Sequence, residues 1–279
     1  MPDEGRRRAA TAGRVARGAL TVALAGVALT PFLWMVSTSL MDELEVFRYP
    51  PAILPARPRW RNYPEALTAL PFARFYANTL VLAAFSVAGQ VITGATAGYA
   101  FARYRFAGRG ALFALYLAAL MVPTIVLLIP RFLLVDALGL VDTLAGLVST
   151  ELVAVWGVFL MRQFFLTLPR EAEDAARLDG AGEWTVFWRV ALPGARPAIA
   201  TLALFAFIDA WKNFLWPLIV TRSLEHRVLE VGIASYHGLF FANWPYQMAA
   251  AVTALVPVLV VFTLAQRHFT RGIQLTGLR

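Results

Sequence analysis

Long runs of apolar residues alternate with shorter polar segments along this chain of 279 residues. An apolar run of about 20 residues is long enough to cross the hydrocarbon of a bilayer as an α-helix. Because runs of this kind recur, the pattern predicts an all-α polytopic membrane protein with six transmembrane helices. The predicted spans are residues 19–40, 76–100, 110–130, 144–161, 197–220 and 248–266.

The polar segments between and beyond the predicted spans differ in character. Residues 1–18 and 269–279 are polar ends that flank a single transmembrane domain at residues 19–268. Residues 41–75 are rich in proline, which removes backbone donors and resists helix, so an extended loop is expected there. Residues 162–196 form a long polar segment with two helical stretches, which predicts a helical hairpin (referred to below as the hairpin).

The composition favours a membrane protein over a nucleic-acid-binding one. The chain is 59% hydrophobic and only 15% charged, a balance that soluble domains of this size rarely have. The formal net charge is +8. Arginine gathers in residues 1–18, 101–110 and 162–196 and in the tail, as the positive-inside rule expects of cytoplasmic segments. We therefore expect both termini and the hairpin in the cytoplasm, a lipid bilayer around the spans and no nucleic acid.

Several kinds of chemistry are excluded by the residues that the chain lacks. It has no cysteine, and its three histidines do not have the spacing of metal ligands. Its only lysine, Lys212, is followed by Asn213, so it cannot form the Gly-Lys-Ser/Thr of a phosphate-binding loop. We expect no catalytic residue, no metal and no cofactor bound by this chain. Any use of ATP and magnesium would then belong to a partner subunit.

The hairpin carries the most informative residues of the chain. Acidic residues near the start of its first helix suit the positive end of the helix dipole, and Gly180 suits the helix stop. Ala175 and Ala176 leave one face of this helix smooth. The second helix carries large apolar side chains whose aromatic members are expected to wedge the hairpin beneath the membrane helices: Trp184, Phe187, Trp188 and Val190. A smooth polar hairpin of this kind is typical of a docking site for a cytoplasmic partner, although an ordinary helical loop has a similar composition.

The spacing of the hairpin motif separates these two interpretations. It reads Asp174-Ala175-Ala176, then Gly180, then Val190, then Leu192-Pro193. This resembles the Glu-Ala-Ala loop of permease subunits in ATP-binding-cassette (ABC) importers, with Asp in place of Glu and Val in place of Ile. Other stretches are similar to the maltose-type carbohydrate permeases, including Asn78-Thr79-Leu80, Ala100-Phe101-Ala102-Arg103 and Trp211-Lys212-Asn213-Phe214-Leu215-Trp216-Pro217.

The resemblance implies a type I ABC importer permease fold and a specific set of partners. These are a second homologous permease subunit, two cytoplasmic ABC ATPase subunits and an external solute-binding protein, in a bacterial or archaeal cytoplasmic membrane. The chain itself would form part of the path of a sugar or sugar derivative. The residues implied in coupling to the ATPase are Glu173, Asp174, Ala175, Ala176, Asp179, Gly180, Ala181, Leu192 and Pro193.

Polar residues inside the predicted spans are candidates for the substrate path, because polar groups at membrane depth often line cavities. Asp209, Lys212 and Asn213 share one face of the fifth span by helical spacing. The other candidates are Trp211, Glu151 and Gln90. A structural alternative is that Asp209 and Lys212 pair with each other only so that each is tolerated in the membrane.

Other functions remain open from the sequence alone. The cargo could be another small solute, such as a polyamine or glycerol phosphate. A transporter driven by ions would need acidic residues in its spans, and only Asp209 and Glu151 lie clearly inside them. An intramembrane enzyme is disfavoured, because the chain has neither a His-Glu-x-x-His nor a Gly-x-Ser-x-Gly motif.

Overall fold

The chain is helical throughout most of the residues that the structure describes. The computed structural model describes the backbone of residues 2–238 and 242–276, and the side chains of residues 17–238 and 242–265. An isolated antiparallel bridge between His237 and Ala242 is the β-structure in these ranges. The α-helices are α1 (Pro2–Ser39), α2 (Glu43–Val46), α3 (Asn62–Ala69), α4 (Phe72–Arg103), α5 (Arg109–Ala118), α6 (Leu128–Ala137), α7 (Leu144–Ser149), α8 (Val155–Thr167), α9 (Glu171–Leu178), α10 (Glu183–Val186), α11 (Leu192–Gly194), α12 (Arg196–Trp211), α13 (Leu215–Val220), α14 (Leu229–Ala234) and α15 (Trp244–Thr276).

The chain divides into two units. The first comprises Met1–Ala69 and Tyr236–Thr253, and the second comprises Leu70–Ser235 and Ala254–Arg279. In the first unit, the side-chain amide of Asn62 donates to the carbonyl oxygens of Ser39 and Met41 at 2.8 and 2.9 Å. The segment at 41–75 is predicted to be extended, but it contains α2 and α3. The hydrogen bonds of Asn62 tie this segment to the end of α1.

Three helices in the described chain are long and apolar enough to cross a bilayer. They are Arg17–Ser39, Phe72–Arg103 and Trp244–Ala265. A fourth is added if Glu183–Gly194 and Arg196–Trp211, which meet at a bend of 77°, are counted together. The three helices overlap the predicted first, second and sixth spans; Phe72–Arg103 extends beyond the second span at both ends, and Trp244–Ala265 begins before the sixth.

The predicted third span, 110–130, is not one continuous helix. Helix α5 ends at Ala118, a 3₁₀ turn follows at Ala119–Met121, and α6 begins only at Leu128. The cause is Pro123, which has no N–H and pushes the residue before it out of the helical region. Val122 accordingly has an extended ψ of 118°.

The predicted fourth and fifth spans are also interrupted. Residues 150–154 separate α7 from α8, and residues 212–214 separate α12 from α13. At the first break, side chains of α4 donate hydrogen bonds to the backbone carbonyl oxygens. Gln90 donates to the carbonyl oxygen of Glu151 at 3.0 Å, and Thr93 donates to that of Leu152 at 3.4 Å. Such replacement of lost helical bonds is what allows a break at membrane depth.

The core of the second unit is built on close packing of α4 against α8. A Cβ atom added at Gly98 would lie 2.7 Å from the Cβ of Met161 and 2.8 Å from the backbone nitrogen of Arg162. Gly89 and Gly94 make similar approaches to Leu152 and to Leu202. Small residues that let helix backbones approach are typical of membrane helix packing. This packing fixes α4 and α8 together, and the hairpin follows α8 directly.

Candidate functional site

The hairpin consists of two helical arms that turn away from the neighbouring span. The first arm is α9, and the second runs from α10 through a π-helical turn at Phe187–Ala191 into α11. The second arm meets α12 at an angle of 77°. Pro193 and Pro197 stand at the starts of α11 and α12, where a missing N–H costs no intrahelical bond. The hairpin therefore lies across the direction of α12 rather than continuing it.

Gly180 ends the first arm in a left-handed conformation with φ of 85°. The N–H of Ala181 donates to the carbonyl oxygen of Ala176 at 2.9 Å, and that of Gly180 donates to Arg177 at 3.0 Å. These two bonds form a Schellman motif, which satisfies carbonyls left free at a helix end. The glycine of the Ala-Ala-x-x-x-Gly spacing is thus needed for the turn between the arms.

Glu173 is buried and anchors the hairpin to the end of α4. Its carboxylate accepts hydrogen bonds from Arg103 Nε at 2.9 Å and from the Tyr99 hydroxyl at 3.1 Å. Both charged side chains of the ion pair are almost inaccessible, at 4% for Arg103 and 3% for Glu173. Arg103 also donates to the carbonyl oxygen of Leu168. Removing one partner of such a buried pair leaves an uncompensated charge, at a cost of about 3–5 kcal/mol.

A second ionic cluster joins the two arms of the hairpin to each other. Arg177, in the last turn of α9, donates to Asp174 at 2.9 Å and to Glu183 at 2.9 Å. The Tyr104 hydroxyl also donates to Glu183 at 2.9 Å. The hydrogen bond from Arg177 and, to a smaller extent, the one from Tyr104 lower the pKa of Glu183 below its ordinary value. Glu183 is therefore held as a carboxylate at the junction between the arms and the end of α4.

The residues predicted to couple to an ATPase occupy three environments. Asp174, Ala175, Asp179 and Gly180 are exposed, and Ala176, Ala181, Leu192 and Pro193 are half-buried. Glu173 is buried in the anchor just described, so it is not part of an accessible docking face. Its position is explained by the helical period, which turns residue 173 toward α4 and residue 174 away from it.

The aromatic residues of the second arm divide between core and surface. Phe187 is buried and packs on the Tyr99 ring with 5.1 Å between centroids. Trp184 and Trp188, expected to wedge against the membrane helices, are instead 71% and 54% exposed. Leu178 of the first arm is 90% exposed. The hairpin therefore exposes three large apolar side chains, Leu178, Trp184 and Trp188, in addition to Ala175.

The polar residues predicted for the substrate path fall into two groups. Lys212 Nζ lies 3.5 Å from Asp209 Oδ1, and the two side chains are 65% and 56% exposed. Asn213 lies beside them and is half-buried. The other candidates face inward. Trp211 is only 3% exposed, and its indole N–H donates to the carbonyl oxygen of Ala254 at 3.1 Å. Its ring is thus covered in this structure rather than open to a sugar.

The last two path candidates belong to a polar cluster at the break between α7 and α8. Gln90 donates to the backbone of Glu151, whose carboxylate is paired with Arg131 at 2.6 Å. The Arg131 guanidinium also lies 4.2 Å from the centre of the Trp216 ring. Arg131, which the sequence reasoning did not single out, neutralises Glu151.

Sequence reasoning also missed the side chains that hold the hairpin. Tyr99 and Arg103 are four residues apart, so they share one face at the end of α4. Arg177 follows Glu173 at the same spacing, which is a recognisable helical ion-pair signal. The spacing within one helix does not predict that carboxylates of the hairpin, far along the sequence, bind the side chains at the end of α4.

Comparisons with known proteins agree with the geometry. A family model described as "Binding-protein-dependent transport system inner membrane component" matches residues 90–275. The arabinooligosaccharides transport system permease protein AraQ of Bacillus subtilis (strain 168) is 34% identical over 208 residues, covering 75% of this chain and 74% of that protein. The sn-glycerol-3-phosphate transport system permease protein UgpE of Rhizobium meliloti (strain 1021) is 32% identical over 256 residues, covering 88% and 91%.

Solved structures give the same assignment. One chain of a bacterial ABC transporter involved in the import of the acidic polysaccharide alginate has a TM-score of 0.81 and 25% identity, covering 93% of this chain and 97% of that one. A chain of a bacterial alginate ABC transporter in complex with an alginate pentasaccharide-bound periplasmic protein shares the fold, with a TM-score of 0.63 and 17% identity. These findings confirm the resemblance, the type I permease fold and the membrane location. The chain belongs to the family of binding-protein-dependent transport system inner membrane components, and it is a permease subunit of an ABC importer rather than an enzyme.

Proposed function

We propose that this permease imports a sugar or sugar derivative, together with a second permease subunit, two cytoplasmic ATPases and an external solute-binding protein. The single observation that carries the proposal is the structure of the hairpin. It exposes alanine and larger apolar side chains, and the buried Arg103–Glu173 pair holds its base. A docking surface that receives force needs such a rigid base. The similarity to permeases of arabinooligosaccharide transport supports a saccharide as cargo.

The proposed ATPase contact is the exposed part of the hairpin. Ala175 and Gly180 leave room for a partner to approach the backbone, while Leu178 supplies apolar area at 90% exposure. Trp184 and Trp188 are aromatic residues of the kind that dominate binding energy at interfaces. Asp174 offers a carboxylate, though its oxygen also accepts from Arg177. ATP is bound and hydrolysed by the partner, and this chain responds by moving.

The proposed orientation puts the hairpin and both termini in the cytoplasm. It rests on arginine-rich segments at residues 1–18, 101–110 and 162–196. The loop at residues 221–247 then lies on the external side, where the solute-binding protein arrives. ATP and the loaded binding protein together favour the outward-open state by binding it more tightly than the inward-open state.

The exposed pair Asp209–Lys212 is the proposed part of the substrate path on this chain. Charged side chains in membrane spans face a protein partner or a water-filled cavity, because lipid does not solvate them. Both side chains are more than half exposed. We therefore propose that they lie where the second permease subunit and the aqueous path meet. There, the Asp209 carboxylate and the Lys212 ammonium group are available to bind the hydroxyl groups of a sugar.

The docking assignment is tested by removing the exposed segment. Deleting residues 174–181 should abolish co-purification of the ATPase and uptake of cargo, since the proposed contact is gone. The matched control is a deletion of the same length within residues 48–57, in the loop of the first unit, which should leave ATPase binding intact. If the ATPase still co-purifies after the hairpin deletion, docking lies elsewhere.

The cargo is tested separately through the solute-binding protein encoded with this permease. Its melting temperature should rise with oligosaccharides in a panel that also contains glycerol 3-phosphate and polyamines, because a ligand stabilises only the state that binds it. Glycerol 3-phosphate is the second candidate cargo, on the strength of the similarity to a glycerol-3-phosphate permease. Stabilisation by the phosphate ester alone overturns the assignment of a sugar.

A further inference from the structure

Helix α4 joins the hairpin to the loop at residues 221–228 without a break. It has 32 residues, which corresponds to about 48 Å at a rise of about 1.5 Å per residue. No proline interrupts it, and it is the longest helix within residues 70–238. The predicted third, fourth and fifth spans are all interrupted, so α4 is the continuous element in this part of the second unit.

At the hairpin end, α4 is held by buried polar contacts. Arg103 and Tyr99 both bind the carboxylate of Glu173, and Arg103 also binds the carbonyl oxygen of Leu168. These contacts lie out of water, so α9 cannot move away from α4 without separating buried charges. A displacement of the hairpin is therefore passed to the end of α4.

The opposite end of α4 is held just as closely, through backbone contacts. Asn78 donates from Nδ2 to the carbonyl oxygens of Glu225 and Arg227, each at 2.8 Å. The hydroxyl of Thr79 accepts from the N–H of Leu229 at 2.9 Å. Asn78 and Thr79 are 6% and 0% exposed. These contacts fix the loop 221–228 and the start of α14 to α4.

Helix α14 also packs against α4 at a glycine. A Cβ atom at Gly232 would lie 2.3 Å from the Phe75 ring, so only glycine fits there. Between its two ends, α4 packs on α8 through Gly98 and on the break before α8 through Gly89, with backbone atoms in close approach. This support along its length opposes bending of the helix.

From these two anchored ends we infer that α4 is a connecting rod between the ATPase-docked hairpin and the loop at residues 221–228. The inference rests on the proposed function, which places the loop on the external side. Tyr99 and Arg103 are positioning residues at the hairpin end, and Asn78 and Thr79 are positioning residues at the loop end. ATP-driven movement of the hairpin thus changes the face that meets the solute-binding protein.

The test follows the loop while nucleotide acts at the hairpin. Because the chain has no cysteine, Leu224→Cys adds one reporter thiol to the loop, at a position that is 43% exposed. The complete importer is placed in lipid nanodiscs, and the rate of maleimide labelling of this chain is measured without nucleotide and after trapping with ATP and vanadate. We expect trapping to change the labelling rate.

The variants remove hydroxyl groups without removing bulk; in Thr79→Val, the hydroxyl that donates to the carbonyl oxygen of Phe75 within α4 is also lost. Thr79→Val has the same shape but cannot bind the Leu229 N–H, whereas Thr79→Ser keeps the hydroxyl and is the matched control. Tyr99→Phe removes one bond to Glu173 at the other end. In Thr79→Val and in Tyr99→Phe, the effect of ATP and vanadate on labelling should fall by about 5-fold or more, the scale of coupling between sites. Thr79→Ser should behave as the parent.

The outcomes separate this inference from the docking proposal. If the parent does not co-purify with the ATPase, the docking proposal fails. If the ATPase co-purifies and hydrolyses ATP but labelling at residue 224 does not respond, the connecting rod alone is overturned. It is also overturned if Thr79→Val and Tyr99→Phe both respond like the parent. Co-purification of the ATPase should be unchanged in all three variants.

Discussion

Two neighbouring acidic residues of the hairpin illustrate how environment decides a role. Glu173 is buried against Arg103 and Tyr99, while Asp174 is exposed and forms an ion pair with Arg177. The resemblance to importer permeases implies the same coupling role for both. A helical period of about 3.6 residues separates their directions by about 100°. The motif gives the helix, but the direction that faces α4 depends on contacts made far along the sequence.

At Gly180 we expect a substitution to have a purely conformational effect. Gly180 has φ of 85° and nothing within 4 Å of a Cβ atom, so Gly180→Ala meets no clash but strains the left-handed turn. The strain is about 1–2 kcal/mol, or about 5- to 30-fold in an equilibrium. Affinity for the ATPase should fall by that factor in a pull-down titration.

The chain provides a matched control for this substitution two residues later. Gly182 has φ of −70° and equally open surroundings. Gly182→Ala should therefore leave ATPase affinity unchanged. Equal losses for both variants would mean that the partner contacts the glycines directly and that the turn is not the cause.

Much of the site was predictable at the level of residues, and the missing part has one cause. The turn at Gly180 and the accessible face of Ala175 and Asp174 follow from local spacing. The anchor formed by Tyr99, Arg103 and Glu173 does not, because it joins groups that are 70 and 74 residues apart in sequence. Contacts of this range are set by packing of α4 on α8.

At the scale of elements, helix bounds followed from local residues only where no long-range contact intervened. The apolar run at 76–100 predicted one helix, and α4 runs unbroken from Phe72 to Arg103. The run at 144–161 predicted one helix, yet the chain breaks at 150–154. There, Gln90 and Thr93 of α4 supply the donors that a broken helix needs, so an apolar run alone did not reveal the break.

The contact between α4 and α8 predicts a strong effect at Gly98. In Gly98→Ala, the new methyl group would meet the Met161 Cβ at 2.7 Å and the Arg162 nitrogen at 2.8 Å, and backbone cannot give way as a flexible side chain can. Overpacking of this kind costs about 1–3 kcal/mol. The melting temperature of the purified complex, followed by tryptophan fluorescence, should fall.

Gly110 is the matched control for the packing prediction. It lies in α5 with nothing within 4 Å of a Cβ atom. Gly110→Ala should keep or slightly raise the melting temperature, because alanine favours a helix more than glycine does. An unchanged melting temperature in Gly98→Ala would contradict the backbone approach of α4 and α8.

At the scale of the whole molecule, class and family were predictable because they depend on composition and a long gapped motif. The apolar runs gave the all-α class, and the motif from Asp174 to Pro193 gave the importer permease family. The exact spans and the residues of the substrate path were harder to predict from the sequence. Trp211 is covered within the second unit by a bond to Ala254, and a pattern of residue types does not distinguish such a covered ring from an open one.

The exposed pair Asp209–Lys212 yields a prediction for transport by the assembled importer. Asp209→Asn and Lys212→Met each leave one charge without its partner, and both should lower cargo uptake while ATPase co-purification stays intact. The double variant removes both charges and tests the purely structural alternative. If the pair serves only to neutralise itself, the double variant regains full uptake; if it lines the path, uptake stays low.

The central claim is that the hairpin is the surface on which an ATPase docks, and proximity tests it most directly. A benzophenone maleimide is attached to Leu178→Cys, 90% exposed on the hairpin, or to Tyr49→Cys, 92% exposed in the first unit. After illumination of the complete importer, we expect the adduct from residue 178 to contain the ATPase and the adduct from residue 49 to lack it. An ATPase adduct from residue 49 and none from residue 178 would contradict the account.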